Sequence, residues 1–307
     1  MKTLYLDCGM GAAGDMLAGA LYDLLSEEQR AEFQNIAAAF SAVGLNVRCA
    51  AAEKCGIRGI HFAVEYMNTD ADEYAACIHE HEHLHEHEHC HEHEHCHEHE
   101  HEHEHCHEHE HNHEHEHEHL HHEHAHHHHH EHRNLFDVNK IIDESEIDEK
   151  AKDLAKRIFL RVAKAESKVH NETLENVHFH EVGAIDSIVD IIGTAILLCK
   201  INPDVIYSSV VNDGYGFIEC AHGMISVPVP ATSEIFAASN AITRQIDVDT
   251  ELVTPTGAAI IAEIASEFTT MPAMNVQKVG WGTGTKDLVI PNVLKVSLGE
   301  IKKKTKL

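Results

Sequence analysis

The chain has 307 residues and carries 52 Asp and Glu against 23 Lys and Arg, a formal net charge of −29 at pH 7. Such an acidic chain repels a phosphate backbone, which argues against nucleic acid as a partner. No apolar stretch is long enough to span a membrane, and Asp7 and Asp15 interrupt the apolar start, which argues against a signal peptide. Nine irregularly spaced cysteines then indicate reduced thiols and a cytoplasmic protein.

The first 66 residues combine strand and helix patterns. Strands are predicted at 3–7, 45–51 and 59–66, where apolar residues run together or alternate with polar ones. Helices are predicted at 16–25 and 27–40. A glycine-rich loop, with the sequence GMGAAGD at 9–15, joins the first strand to the first helix.

Residues 79–132 form a tract of histidine and glutamate, in which histidine occupies every odd position from 79 to 119. Five of the 35 histidines lie outside this tract, which leaves 30 within it. Neutral imidazole is a common ligand of nickel, zinc, copper and cobalt, so the tract predicts metal binding. The expected ligands include His91, His93, His95 and His97.

The tract alternates two polar residues and therefore has no apolar face at either strand or helix period. Such a segment cannot bury enough surface to offset its ordering entropy. We therefore expect 78–133 to be a disordered metal-binding insertion. Residues 1–77 and 134–300 are expected to form one domain, and 301–307 a basic tail.

Order is predicted to resume after the tract. Helices are predicted at 148–170, 187–200, 232–241 and 257–267, and strands at 205–211, 276–279 and 292–298. Residues 216–229 are expected to form two strands joined at His222-Gly223. Because strands and helices are interleaved, the predicted fold class is α/β, or α+β, with a mixed sheet.

The spacing Gly9-x-Gly11-x-x-Gly14 matches a dinucleotide-binding fingerprint, and the amides that open the helix could hold a phosphate. The ribose-binding acid expected about 20 residues later is missing, which favours an anion or metal–phosphate loop over an NAD site. Gly11, Gly14 and Asp15 are therefore cofactor-binding candidates. A tight glycine connection with Asp15 as helix cap explains the pattern equally well. Asp7, at the end of the strand, is a candidate metal ligand.

The segment VHFHEVGAIDSIVD at 177–190 is the strongest candidate for a catalytic site. On an extended chain His178 and His180 point to the same side, and Asp186 and Asp190 share a face of the following helix. Two imidazoles with nearby carboxylates form a plausible metal-ligand set. These four residues are the catalytic candidates, with both histidines also candidate metal ligands. Helix capping by Asp186 and backbone-bonded histidines remain the structural alternative.

Two further segments carry weaker signals. His222 lies in AHG at 221–223, at a predicted turn, and could be a metal ligand or a surface histidine. In ELVTPTGAA at 251–259, Thr254 or Thr256 would cap the next helix, whose free amides could hold a phosphate or carboxylate. Thr254, Thr256 and Gly257 are therefore cofactor-binding candidates, although simple capping is the stronger interpretation for the segment alone.

Taken together, these segments closely resemble the LarC family, the nickel insertion proteins of the nickel-pincer cofactor pathway that serves lactate racemase. The resemblance rests on the His-rich insertion and on LDCGMGAAGDMLAGAL (6–21), VHFHEVGAIDSIVDIIG (177–193), GYGFIECAHGMISVPVPAT (214–232), ELVTPTGAA (251–259) and GWGTGTKD with PNVLKV (280–296). It covers most of the predicted ordered chain. The segments at 178–191 and 254–259 are specific, whereas the glycine loop alone is not.

The resemblance implies a CTP-dependent cyclometallation, catalysed by a nickel insertase that is a lyase of the nickel chelatase type. Nickel(II) enters pyridinium-3,5-bisthiocarboxylic acid mononucleotide, forming two Ni–S bonds and one Ni–C bond, while CTP with Mn²⁺ or Mg²⁺ is split to CMP and pyrophosphate. Family members carry the CTP site on a C-terminal domain, so this chain resembles their N-terminal part. The expected partners are the mononucleotide substrate, a C-terminal polypeptide of the family and further copies in a homo-oligomer.

Three functions follow from these patterns. The favoured one is nickel insertion into the cofactor precursor. The second is a nickel storage protein or metallochaperone, whose function would depend on the tract. The third is a nucleotide-dependent oxidoreductase that uses the glycine loop and would bind NAD or FAD. A soft thiocarboxylate ligand set suits nickel, and a base such as His178, His180 or a nearby Asp would accept the ring proton.

Overall fold

The computed structural model describes residues 1–66, 133–179, 185–220 and 222–302. All the described residues belong to one compact unit. The predicted insertion lies outside them apart from Arg133, and so does most of the basic tail. The domain boundaries drawn around the insertion therefore stay a prediction.

The described elements alternate along the chain. The helices α1 to α7 are, in order, Gly14–Asp23, Glu27–Ala37, Leu135–Glu144, Glu149–His170, Ile185–Ile201, Pro230–Ala237 and Pro255–Ile264. The strands β1 to β11 are, in order, Lys2–Asp7, Leu45–Lys54, Ile57–Tyr66, Val205–Ser208, Val211–Asp213, Phe217–Cys220, Gly223–Ser226, Thr243–Gln245, Glu267–Phe268, Asn275–Thr283 and Val293–Glu300. A 3₁₀ turn, Ala38–Val43, follows α2.

Polar side chains set several helix ends. Ser26 accepts the amide of Gln29 and receives the Gln29 side chain in return, a capping box that starts α2. Asp148 caps α4 by accepting the amide of Lys150. Asn171 ends that helix in the left-handed conformation, with φ of 52°. None of the described helices is long and apolar enough to cross a membrane.

Within the described residues, seven strands form a mixed sheet in the order β2-β3-β10-β11-β1-β4-β9. β1 pairs in parallel with β4 and antiparallel with β11, so the carboxyl ends of β1 and β4 lie at the same edge as the start of β11. β10 ends at this edge too, because it pairs antiparallel with β11. This edge carries the loops that lead into α1 and away from β4.

Helix α1 lies directly on the sheet, against β3 and β10. The contact is close because three facing residues are glycines. A Cβ on Gly19 would lie 2.4 Å from the Ile60 carbonyl oxygen, and one on Gly282 would lie 1.8 Å from that of Met16. Gly280 is similarly close to the backbone of Ala20. The glycines therefore fix the depth of α1 and the position of its amino terminus.

The other helices build outward from α1. α5 packs on α1, and α4 contacts α3, α5, α6 and α7. α5 is apolar on nearly every side, which suits a helix enclosed by other elements. The core includes Leu4, Leu6, Leu17, Phe62, Phe159, Phe179, Ile192 and Ile260. The packing of α5 on α1 brings the first turns of these two helices together.

The predicted α/β class with a mixed sheet is confirmed. The predicted 205–211 strand is wrong as a single element: after Ser208 the chain leaves β1, and Val211 bonds to Ile242 to join β8 instead. The sequence reading missed α3, a short amphipathic helix beside the tract, and the very short strands β8 and β9. Strands of two or three residues, such as β8 and β9, carry too few periodic positions to be recognised.

Candidate active site

The glycine loop after β1 is held by backbone hydrogen bonds to two other segments. The Ala12 amide donates to the Leu252 carbonyl over 2.9 Å, and the Thr254 amide donates to the Ala12 carbonyl over 3.1 Å. The Asn212 side-chain amide donates to the Gly9 carbonyl over 2.8 Å. The start of α1 is therefore tied to the start of α7 and to β5.

The glycines of this loop make room for other protein atoms. A Cβ on Gly11, whose φ is +88°, would lie 2.2 Å from the Leu252 carbonyl oxygen. One on Gly257 would lie equally close to the Ala12 carbonyl, and one on Gly14 would lie 2.6 Å from an Asp190 carboxylate oxygen. Close packing accounts for each glycine without a ligand. The cofactor-binding role of Gly11, Gly14 and Gly257 stays a prediction.

Three carboxylates meet where α1 and α5 begin. The backbone amide of Asp15 donates to the Asp190 carboxylate. The N-cap residue of α1 is Ala13, which offers no side-chain acceptor, so Asp190 of α5 serves as the cap of α1. Asp186 lies one turn before Asp190 and is exposed. We call Asp15, Asp186 and Asp190 the acid cluster.

Two members of the acid cluster, Asp15 and Asp190, hold protons more tightly than ordinary carboxylates do. Burial raises the pKa of Asp15 to about 6, and the negative charge of Asp186 acts in the same direction. Burial also raises the pKa of Asp190 well above its ordinary value, reinforced by repulsion from Asp15 and Asp186. Both residues nevertheless keep some accessible surface. Two adjacent carboxylates of this kind can share a proton near neutral pH.

His61 on β3 is the imidazole associated with the acid cluster. Its nearby charge lowers the pKa of Asp15 and so opposes the effect of burial. His61 Nδ1 lies 3.3 Å from the Thr283 carbonyl oxygen. A carbonyl oxygen only accepts a hydrogen bond, so His61 Nδ1 is the donor of this contact.

Asp7 lies at the carboxyl end of β1 and is already paired. Lys295 Nζ lies 2.7 Å from its Oδ2 atom, and the same ammonium sits 5.7 Å from the centre of the Trp281 ring. Oδ1 accepts the Gly9 amide over 3.4 Å. A metal ion at Asp7 would therefore have to displace Lys295, and the metal-ligand role of Asp7 stays a prediction.

The two threonines at the start of α7 have different roles. Thr254 is the cap, because its hydroxyl accepts the Gly257 amide over 3.2 Å. Thr256 is buried, and its methyl group faces Gly14. Their predicted cofactor-binding role is not tested by these contacts.

His178 lies on the extended segment that follows α4. It is exposed between buried Val177 and Phe179, and the Phe179 amide donates to the Arg133 carbonyl over 2.9 Å. The described structure thus brings together residues from three helices: Gly14 and Asp15 of α1, Asp190 of α5 and Thr256 of α7, with Asp186 alongside. His178 belongs to none of these helices. His180 and the tract residues His91, His93, His95 and His97 lie outside the described residues.

His222 lies in the turn between β6 and β7, as expected from the sequence. Its ring packs against His170, with the ring centroids 5.0 Å apart. Within 1–66, 133–179, 185–220 and 222–302, no group of three or more His, Cys, Asp or Glu is arranged to hold a metal ion. Metal binding by His178 and His222 therefore remains a prediction.

Sequence reasoning missed two residues that organise this region. Asp213 is 2% exposed, and its Oδ1 atom accepts the amides of Gly214, Leu252 and Val253 over 2.8, 2.9 and 3.1 Å. Asp213 thereby fixes the segment that pairs with Ala12. Its position directly before Gly214-Tyr-Gly was the available signal. His61 could have been noticed as one of the few histidines outside the tract.

Comparison with known proteins gives a consistent result. The family model described as nickel insertion protein matches residues 4–307. A pyridinium-3,5-bisthiocarboxylic acid mononucleotide nickel insertion protein of Acetivibrio thermocellus is 42% identical over 307 residues, all of this chain and 62% of the relative. A relative of the same name from Geobacillus kaustophilus is 35% identical over 304 residues, 98% of this chain and 60% of the relative.

A putative nickel insertion protein of Dictyoglomus thermophilum is 35% identical over 312 residues, 99% of this chain and 62% of the relative. The chain thus spans a little over three fifths of the length of these relatives. No solved structure matches it.

Proposed function

This chain belongs to the nickel insertion protein family, and we propose that it takes part in inserting nickel(II) into pyridinium-3,5-bisthiocarboxylic acid mononucleotide. The reaction joins nickel to the two thiocarboxylate sulfurs and to one ring carbon, which loses its proton. Sulfur donors and a carbon donor suit nickel, a borderline metal. The protein must then attract the cation, hold the ring and accept that proton.

The acid cluster is the observation that carries this proposal. Its carboxylates attract a divalent cation, and Asp15 and Asp190 retain accessible surface at the sheet edge. With its pKa raised to about 6 by burial, Asp15 is ionised at neutral pH and is a stronger base than an ordinary aspartate. We propose that the Asp15–Asp190 pair accepts the proton that the ring carbon loses as the Ni–C bond forms.

CTP and its Mn²⁺ or Mg²⁺ ion belong to the proposal but not to the acid cluster. Three carboxylates beside the amino ends of α1 and α5 repel a triphosphate, and protein atoms fill the space beside Gly11 and Gly14. The acid cluster by itself therefore does not suit CTP. We propose that a C-terminal polypeptide of the family supplies this site, and that the chain acts in a homo-oligomer.

The test is cofactor synthesis in vitro. Purified chain is supplied with Ni²⁺, the mononucleotide, CTP, Mg²⁺ and a C-terminal polypeptide of the family, and the product is measured by its absorbance and mass. Asp190→Asn and Asp15→Asn should lower the initial rate by about 100-fold or more, because a positioned base contributes about 10² to 10⁴. Asp287→Asn, at a carboxylate that is 92% exposed, is the matched control and should leave the rate unchanged.

If both cluster variants make the cofactor at the parental rate, the acid cluster has no part in the mechanism. The nickel storage alternative rests on the tract, whose 30 histidines suit bulk metal binding. Deleting 79–132 separates the two functions. A nickel insertase keeps its turnover when free nickel is supplied, whereas a storage protein loses its function.

A further inference from the structure

Two histidines far apart in the sequence meet on one side of α4. His170 is the last residue of α4, and His222 lies in the turn between β6 and β7. Their ring centroids are 5.0 Å apart, and the ring planes are inclined by 41°. Nothing in the proposed role of the acid cluster explains this contact.

A buried carboxylate orients the first of these rings. Glu166 lies one turn before His170, and its Oε2 atom is 3.3 Å from His170 Nε2. Its side chain is only 7% exposed. Buried carboxylates are kept when they are paired, and a carboxylate behind an imidazole fixes the ring and raises its basicity.

The hairpin turn fixes the second ring. The Cys220 sulfur accepts the His222 amide over 3.4 Å, and the Cys220 thiol donates to the Gly223 carbonyl over the same distance. Gly223 has φ of +82°, which a glycine adopts readily. The turn geometry thus directs His222 toward α4.

We propose that His170 and His222 form a two-imidazole docking point for nickel(II), with Glu166 as a positioning residue. Imidazole is a favoured nickel ligand, and a carboxylate that holds one ligating ring is a common supporting group. Two imidazoles leave the other coordination positions of the ion to water or to other ligands. An incomplete protein ligand set suits exchangeable binding, whereas a closed four-ligand set suits a structural ion.

The identity of the metal rests on the proposed function, but the test does not. Hydrogen–deuterium exchange of the full chain, followed by mass spectrometry, is measured without substrate or CTP and with either Ni²⁺ or Mg²⁺. A bound ion joins α4 to the hairpin, so Ni²⁺ should slow exchange in peptides from both. With free Ni²⁺ at about ten times its Kd, the slowing should be about tenfold. Mg²⁺ should have no effect, since it prefers oxygen ligands.

Variants show whether the ions bind at these rings. His170→Ala and His222→Ala should each abolish the Ni²⁺ effect in both peptides. The ratio with and without Ni²⁺ is taken within each variant, so a loosened hairpin does not alter the comparison. Glu166→Gln keeps the size of the side chain and should still reduce the effect, since loss of a supporting carboxylate costs about 10- to 100-fold in metal affinity. Asp287→Asn, at a carboxylate that is 92% exposed and lies outside α4 and the hairpin, is the control and should keep it.

Two results would overturn the docking point. One is a parent chain whose α4 and hairpin peptides exchange at the same rate with and without Ni²⁺. The other is equal slowing in the parent and in both histidine variants, which would mean that the rings only pack the hairpin on α4. A chain that inserts nickel without slowing disproves the docking point alone, and slowing without insertion disproves the proposed function alone.

Discussion

At the scale of single residues, the region around α1 is governed by carboxylates that are kept partly out of water. Asp190 supplies the cap that Ala13 cannot, and Asp213 gathers three backbone amides. Burial raises the pKa of both groups, so each is harder to ionise than an exposed aspartate. Asp213 has a structural explanation for its position, whereas the crowding of Asp15, Asp186 and Asp190 costs stability and is best explained by function.

Replacing Asp190 with Asn should stabilise the protein at pH 7 while lowering the rate of the proposed nickel insertion. A carboxylate whose folded pKa is raised contributes its full stability below the unfolded pKa, and that stability is lost as pH rises through the folded pKa. For Asp15, this stability is lost as the pH rises from about 4 to about 6. The asparagine side chain would still accept the Asp15 amide but would carry no charge.

Urea unfolding of parent and Asp190→Asn at pH 4 and pH 7 measures this effect. The variant should gain roughly 1 to 3 kcal/mol relative to the parent at pH 7, and much less at pH 4. Asp287→Asn should show no such pH-dependent gain. A variant that is less stable than the parent at pH 7 would mean that the Asp190 charge supports the fold rather than the chemistry.

At the scale of elements, the depth of α1 on the sheet decides where the acid cluster forms. Gly19, Gly280 and Gly282 let helix and strand backbones touch, and the first turn of α1 then reaches α5 and α7. A side chain at this contact would push the helix outward. The acid cluster would separate as a result, because Asp15 belongs to α1 and the other two members to α5.

Gly282→Ala should therefore be strongly destabilising. Its Cβ would lie 1.8 Å from the Met16 carbonyl oxygen, and overpacking of this kind typically costs about 1 to 3 kcal/mol or more. Gly44→Ala is the comparison, because φ there is +78° but no atom lies within 4 Å of the new Cβ. It should cost only about 1 kcal/mol of backbone strain. The free energy of unfolding of both variants is measured by chemical denaturation. Equal losses in the two variants would show that α1 can move away from the sheet without penalty.

At the scale of the whole molecule, the chain combines a packed α/β unit with a tract rich in histidine and glutamate. In the part of the chain that the structure describes, the sheet and the helices around it are built from residues 1–66 and 133–302. The tract composition offers no apolar surface to this core. We therefore propose that the tract concentrates metal while the packed unit acts on it.

Deletion of 79–132 should leave the fold unchanged. Without metal, the shortened chain should keep the parental circular dichroism spectrum and melt within about 2 °C of the parent, because no core contact is lost. Bulk nickel binding should fall sharply with the loss of the 30 histidines. A melting temperature many degrees lower would show that the tract packs on the domain.

The sequence by itself determined the fold class, most of the elements and the family. Runs and alternation of apolar residues are local signals, so the paired strands β6 and β7 could be placed from them. The histidine-rich composition of the tract can likewise be read from one stretch of the sequence. The same reasoning identified Asp186 and Asp190 as a pair on one helix face, since residues four apart are neighbours on any helix.

Only the tertiary structure decided which carboxylates share a site. Asp15 and Asp190 are 175 residues apart in the sequence, and they meet because α5 packs on α1 and α1 packs on glycines of β10. It also decided that Gly11 and Gly257 face backbone atoms, and that His170 lies beside His222. Such contacts depend on helix packing and on the depth of a helix on a sheet, and no spacing along the chain encodes either one.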